Sequence, residues 1–144
     1  MKELTDRQIQ RYRDEAERLK LEGRGLLYAE PDLIRRVCNG IGAEWMSLKL
    51  RATLDAIHPA FVLPSLIHDL QYYFWDGEAE SLARYNAQFG ANGKVVARDM
   101  YCCVDPRRYG AYLTARRYKR ILDAFGRTAA VAAREERLKT IQGA

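Results

Sequence analysis

The apolar positions of this chain recur at helical spacing almost from end to end, with glycine and proline between the runs. Over residues 5–22, Ile9, Tyr12, Ala16 and Leu19 form one narrow stripe, the pattern of a helix lying on a surface or on a partner. Thr5 suits the N-cap and Asp6 the first turn, while Gly23 and Gly25 end the run. Pro31 fits the first position of a short helix that reaches Val37 or Cys38. Asn39-Gly40-Ile41-Gly42 follows as a loop. Residues 44–57 read as a helix with Trp45, Leu48, Leu50, Leu54 and Ile57 apolar. His58-Pro59 breaks it, since a residue before proline avoids the helical region.

Pro64 opens the next helix, which runs through Phe74 and is apolar on almost every side, so it should be buried. Asp76-Gly77 reads as a turn, and residues 78–89 as a helix with Leu82, Tyr85 and Phe89 on one face. Gly90-Ala91-Asn92-Gly93 reads as a loop before a helix over 94–104. Asp105-Pro106 caps a helix over 106–125, where Tyr109, Tyr112, Leu113, Tyr118 and Leu122 make a broad aromatic face. Gly126 stops it, and an Ala-rich helix covers 128–141. Strand-like alternation never extends beyond a few residues, so the expected fold is all-α. Three parts are expected: an amphipathic docking arm over 1–25, a helical core over 26–126, and a C-terminal helical extension over 127–144. Oligomers formed through the terminal helices fit this division.

Composition narrows the class without choosing a function. The 144 residues suffice for one domain with a real core, and 48% hydrophobic with 30% charged residues is ordinary for a globular protein. No apolar run approaches the ~20 residues of a membrane span. The charged start, Met1 to Arg7, lacks the apolar core of a signal peptide, which predicts a cytoplasmic location in the producing cell. Cys38, Cys102 and Cys103 are an odd set without metal spacing, so reduced and partly buried thiols are expected. The net charge of +5, with doublets at Arg35-Arg36, Arg107-Arg108 and Arg116-Arg117, suits an anionic partner: phospholipid head groups, an acidic protein or nucleic acid. No nucleic-acid-binding motif accompanies it.

Three segments carry candidate chemistry. The first is Cys38-Asn39-Gly40-Ile41-Gly42, whose two glycines let backbone carbonyls approach a hard cation such as calcium, or simply cap a helix. The second is Leu66-Ile67-His68-Asp69-Leu70-Gln71-Tyr72, an adjacent His-Asp pair on an apolar helix. Two ionisable groups there need partners, because an unpaired buried charge is costly. Adjacent helical residues point about 100° apart. His68 and Asp69 therefore flank a site rather than meet at one point, with Asp69 toward a metal and His68 toward a water. His68 has the unperturbed pKa of a general base near neutral pH, or it is a satisfied core histidine. The third is Arg84-Tyr85-Asn86-Ala87-Gln88-Phe89, where the amide oxygen of Asn86 can accept a hydrogen bond from a histidine ring.

In this order the three segments resemble the phospholipase A2 superfamily, closest to its compact, disulfide-poor phage and prophage members. Asn39-Gly40-Ile41-Gly42, Ile67-His68-Asp69-Leu70-Gln71-Tyr72, Asn86-Ala87-Gln88-Phe89 and the segment from Ala111-Tyr112 to Phe125-Gly126 carry the resemblance, over about residues 31–126. It implies a core with a Gly-x-Gly loop and two packed antiparallel helices. It implies His68 as the base that deprotonates the water attacking the sn-2 ester. It implies calcium held by Asp69 and the carbonyls of Cys38, Gly40 and Gly42, with Tyr72 in the hydrogen-bond network of the histidine partner. Where the family has Asp as that partner, this chain has Asn86, which predicts a weaker base and a rate raised by Asn86→Asp. Two readings stay open: a calcium-dependent hydrolase of host-envelope phospholipids, and a non-enzymatic helical component of a phage particle, bound to other virion proteins on a degenerate phospholipase scaffold.

Overall fold

The computed structural model describes residues 4–38 and 57–143, and every element in them is helical. Helix α1 spans Asp6–Arg18 and opens as its sequence predicts. The Thr5 hydroxyl accepts from the Gln8 backbone N–H, and the Gln8 side chain accepts in return from the Thr5 backbone. A 3-10 turn covers Arg24–Tyr28 and α2 covers Pro31–Val37, with Pro31 in its first turn. A second 3-10 turn, Pro59–Phe61, leads into α3 (Val62–Tyr73). Helix α4 spans Ala79–Met100 and α5 spans Pro106–Gln142. The 37 residues of α5 span about 55 Å. The loop expected at Asn39–Gly42 lies outside the described residues, as does the helix expected over 44–57 apart from Ile57.

Two breaks expected from glycine do not occur. Gly90-Ala91-Asn92-Gly93 lies inside the single helix α4, and Gly126 lies inside the single helix α5. The physical reason is close packing. A methyl group added at Gly93 would overlap the Phe61 ring, and one at Gly126 would overlap the Tyr72 hydroxyl. Glycine costs a helix about 1 kcal/mol relative to alanine, and here that cost is offset by an aromatic ring seated on the helix backbone. Asn92 is also committed: its side chain accepts from the Glu22 backbone N–H and donates to the Glu22 carbonyl. The chain entering that contact turns at Gly23, whose φ of 78° suits glycine.

The core forms around α3, which is buried on nearly every side as its composition predicts. Phe61, Leu66, Ile67 and Leu70 are fully enclosed, with Phe89, Val96 and Ala97 of α4 and Ala115 of α5 against them. Helix α1 contributes Ile9 and Ala16 to the same core. Arg18 binds Asp99 at the end of α4 through two hydrogen bonds, and Arg13 donates to the carbonyls of Leu27 and Ala29. Helices α4 and α5 make the most extensive contact. They run antiparallel, since Asn86 meets Asp123 while Gly90 lies near Ala115. A smaller cluster of Tyr72, Trp75, Leu82 and Ala130 extends the packing along the second half of α5.

Candidate functional site

Between these two apolar clusters lies a polar chain built by three helices, buried at His68, Tyr72 and Asn86 and reaching the surface at Asp123 and Lys119. His68 and Tyr72 are one turn apart on α3, so they share a face, and their ring centroids are 4.1 Å apart. Asn86 projects from α4 toward both. His68 Nε2 lies 3.1 Å from Asn86 Oδ1, and the Tyr72 hydroxyl donates to the same oxygen at 2.8 Å. On the far side, Asn86 Nδ2 donates to Asp123 Oδ1 of α5 at 3.1 Å. Lys119, one turn earlier on α5, donates to the other oxygen of Asp123. The sequence order thus brings His68, Tyr72 and Asn86 into one cluster, and the fold adds Asp123 and Lys119.

Enclosure sets the electrostatics. His68 is 5% exposed, with Phe89 against its ring at 5.2 Å. Burial pushes its pKa down to about 4, against the opposing pull of the Asn86 hydrogen bond, so the ring is neutral at neutral pH. Burial raises the Tyr72 phenol, and the negative charges of Asp69 and Asp123 raise it further. Tyr72 is therefore a firm hydroxyl donor. The Lys119 hydrogen bond holds Asp123 below the usual carboxylate range, against its partial desolvation, and the Asn86 amide adds to the effect. The outer end of the cluster is thus a carboxylate.

Asp69 sits beside this chain, half-buried on the neighbouring face of α3. Its charge reaches the Cys38 thiol, whose pKa is raised first by burial and then by Asp69. Cys38 leaves α2 in an extended conformation (φ −87°, ψ 101°), its thiol donating to the Leu66 carbonyl. The first member of the predicted cation loop therefore stands near the predicted carboxylate ligand, whereas Gly40 and Gly42 lie outside the described residues. Among the described residues, no three His, Cys, Asp or Glu side chains gather as a metal-holding group. A cation here would rely on backbone carbonyls beside a carboxylate, the hard oxygen donors that calcium takes.

Asp123 was invisible to the sequence reading. It lies 37 residues beyond Asn86, and its local signal is only a Lys-x-x-x-Asp pair of the kind that decorates solvated helix faces. Of the three cysteines, expected as reduced and partly buried thiols, all are free, Cys38 is buried, and Cys102 and Cys103 are exposed. No described helix is long and apolar enough to cross a membrane. In comparisons with known proteins, no family model, no curated protein and no solved structure matches the chain.

Proposed function

We propose that this protein is a phospholipase A2-like hydrolase of phage origin that cleaves the sn-2 ester of host-envelope phospholipids, with His68 as general base. The observation that carries this reading is the meeting of His68, Tyr72 and Asn86 in one buried hydrogen-bonded cluster. With Asn86 Oδ1 facing Nε2, the Nδ1 atom of His68 is left to take a proton from water. The hydroxide equivalent adds to the ester carbonyl. Collapse of the tetrahedral species then expels the glycerol oxygen, which recovers the proton from His68, giving a fatty acid and a lysophospholipid. The low pKa of His68 keeps the ring unprotonated at neutral pH, and it also limits the driving force for proton removal. Asp69 and the carbonyls of Cys38, Gly40 and Gly42 would hold calcium, which when bound supplies Lewis-acid stabilisation of the ester carbonyl. A groove of about 540 Å³ between α4 and α5, bordered by Lys94, Arg98, Arg116 and Lys119, supports an anionic phospholipid surface as the partner.

A second reading draws on the outer face of α5, where Leu113, Ile121 and Phe125 are exposed, Phe125 at 73%. On that reading the same scaffold is a non-enzymatic component of a phage particle, and these side chains meet another virion protein.

Fatty-acid release from mixed phospholipid vesicles separates the two. The hydrolase reading expects release that needs calcium, stops with chelator and is lost in a folded His68→Ala variant. Absence of release from the wild type, or release unchanged by His68→Ala, overturns it.

A further inference from the structure

Three members of the polar cluster can be wired in two ways. An imidazole can carry its proton on either nitrogen, a phenol can donate or accept, and an amide can be turned to exchange its oxygen and nitrogen. His68, Tyr72 and Asn86 are all of this kind. If they formed a closed group, the amide could face His68 with its NH₂, and the ring would then place its proton on Nδ1. Such a ring has no lone pair on Nδ1 with which to take a proton from water.

Asp123 removes the choice. An ionised carboxylate only accepts. Asp123 is held ionised by Lys119 from one turn earlier on α5. Its Oδ1 lies 3.1 Å from the Asn86 amide nitrogen. The nitrogen of the amide must therefore face α5, and its oxygen must face α3. That oxygen has two lone pairs, and two groups reach it, His68 Nε2 at 3.1 Å and the Tyr72 hydroxyl at 2.8 Å. Both must donate. The proton of His68 is thereby placed on Nε2, and Nδ1 carries the free lone pair.

We propose that Asp123 is the positioning residue of the cluster, fixing the Asn86 amide and through it the Nε2–H tautomer of His68. For its catalytic meaning this rests on His68 being the base. The histidine partner is then a relay, an amide backed by a carboxylate, in place of a carboxylate in direct contact with the ring. The relay delivers the orienting role of a carboxylate while its charge stays one residue further from the ring. Polarisation of the amide by Asp123 also strengthens its oxygen as an acceptor.

The relay reverses the expectation that Asn86→Asp repairs the site. A carboxylate at position 86 would face the Asp123 carboxylate across the gap now closed by an N–H···O bond. Like charges at that distance cannot both ionise without cost. The remedy is an exchange: Asn86→Asp with Asp123→Asn puts the carboxylate against His68 and the amide behind it.

The test reads the His68 ring nitrogens by ¹⁵N nuclear magnetic resonance on the full chain at neutral pH, without lipid or calcium. The wild type is expected to show the proton on Nε2 and an unprotonated Nδ1. Asp123→Leu should release the amide and give a mixture of tautomers or the Nδ1–H form. Thermal melts supply a second line that does not need Asp123→Leu to fold. Asn86→Asp should lower the melting temperature, and adding Asp123→Asn should recover most of the loss. A wild-type ring protonated on Nδ1, an unchanged Nε2–H ring in folded Asp123→Leu, or a double variant no more stable than Asn86→Asp would each overturn the proposal. None of these readouts involves hydrolysis, so relay and hydrolase can fail separately.

Discussion

Gly93 and Gly126 are used in the same way sterically and for different ends. Each lies within a continuous helix, and each clears space for an aromatic side chain of the Pro59–Tyr73 segment. At Gly93 the visitor is Phe61, fully buried and wedged against Phe89 and Tyr118 at centroid distances of 5.6 and 5.4 Å. At Gly126 the visitor is the Tyr72 hydroxyl, which continues to Asn86. The first glycine lets apolar surface close. The second holds a hydrogen-bond donor in position, so its removal should be felt by the cluster as well as by the fold. The two crossings lie at different heights along the helix pair, and Phe89 joins them, touching both Phe61 and the His68 ring.

The apolar crossing should give the larger loss. Gly93→Ala forces the Phe61 ring into neighbours that have no room, and the expected destabilisation is about 3 kcal/mol even after the gain in helix propensity. Chemical denaturation measures it, and a neutral variant would mean that the ring is not seated on the helix. The polar side should instead be sensitive to acid. His68 has a folded pKa near 4, below its unfolded value of about 6.5, so the unfolded chain takes up the proton first as pH falls. The stability associated with the neutral ring is present above about pH 6.5 and is lost as pH falls toward 4, a change of roughly 3 kcal/mol. His68→Gln should lack this component, so its stability gap to the wild type should narrow in acid; parallel pH profiles would contradict the burial of His68.

Gly126→Ala should cost about 2 kcal/mol, because the hydroxyl in its way sits at the end of a ring with some freedom to shift. The sharper measurement is a double-mutant cycle. In a Tyr72→Phe background the hydroxyl is gone, and Gly126→Ala should become close to neutral; equal costs in both backgrounds would refute the contact. The smallest effect is Tyr72→Phe alone. It removes one of two donors from Asn86 Oδ1 and should cost about 1 kcal/mol, since His68 still serves that oxygen.

The sequence carried local information well. Thr5 with Asp6 announced α1, Pro31 announced α2, and Asp105-Pro106 announced α5, because a cap and the helix it starts are neighbours in the chain. The burial of α3 was legible in its composition. The roles of Gly93 and Gly126 were not, because a glycine that breaks a helix and one that admits a ring look alike until the ring is located. Phe61 is 32 residues before Gly93, and Tyr72 is 54 before Gly126. For the site, the order of His68, Tyr72 and Asn86 was readable, whereas Asp123 depended on the antiparallel register of α4 and α5.

Calcium binding tests the central claim most directly, because a polar cluster that merely fills the core has no use for a cation. Calorimetric titration of the full chain with calcium should show saturable binding in the wild type, and Asp69→Asn should weaken or abolish it while the fold persists. No binding by the wild type, or equal binding by Asp69→Asn, would contradict the hydrolase account.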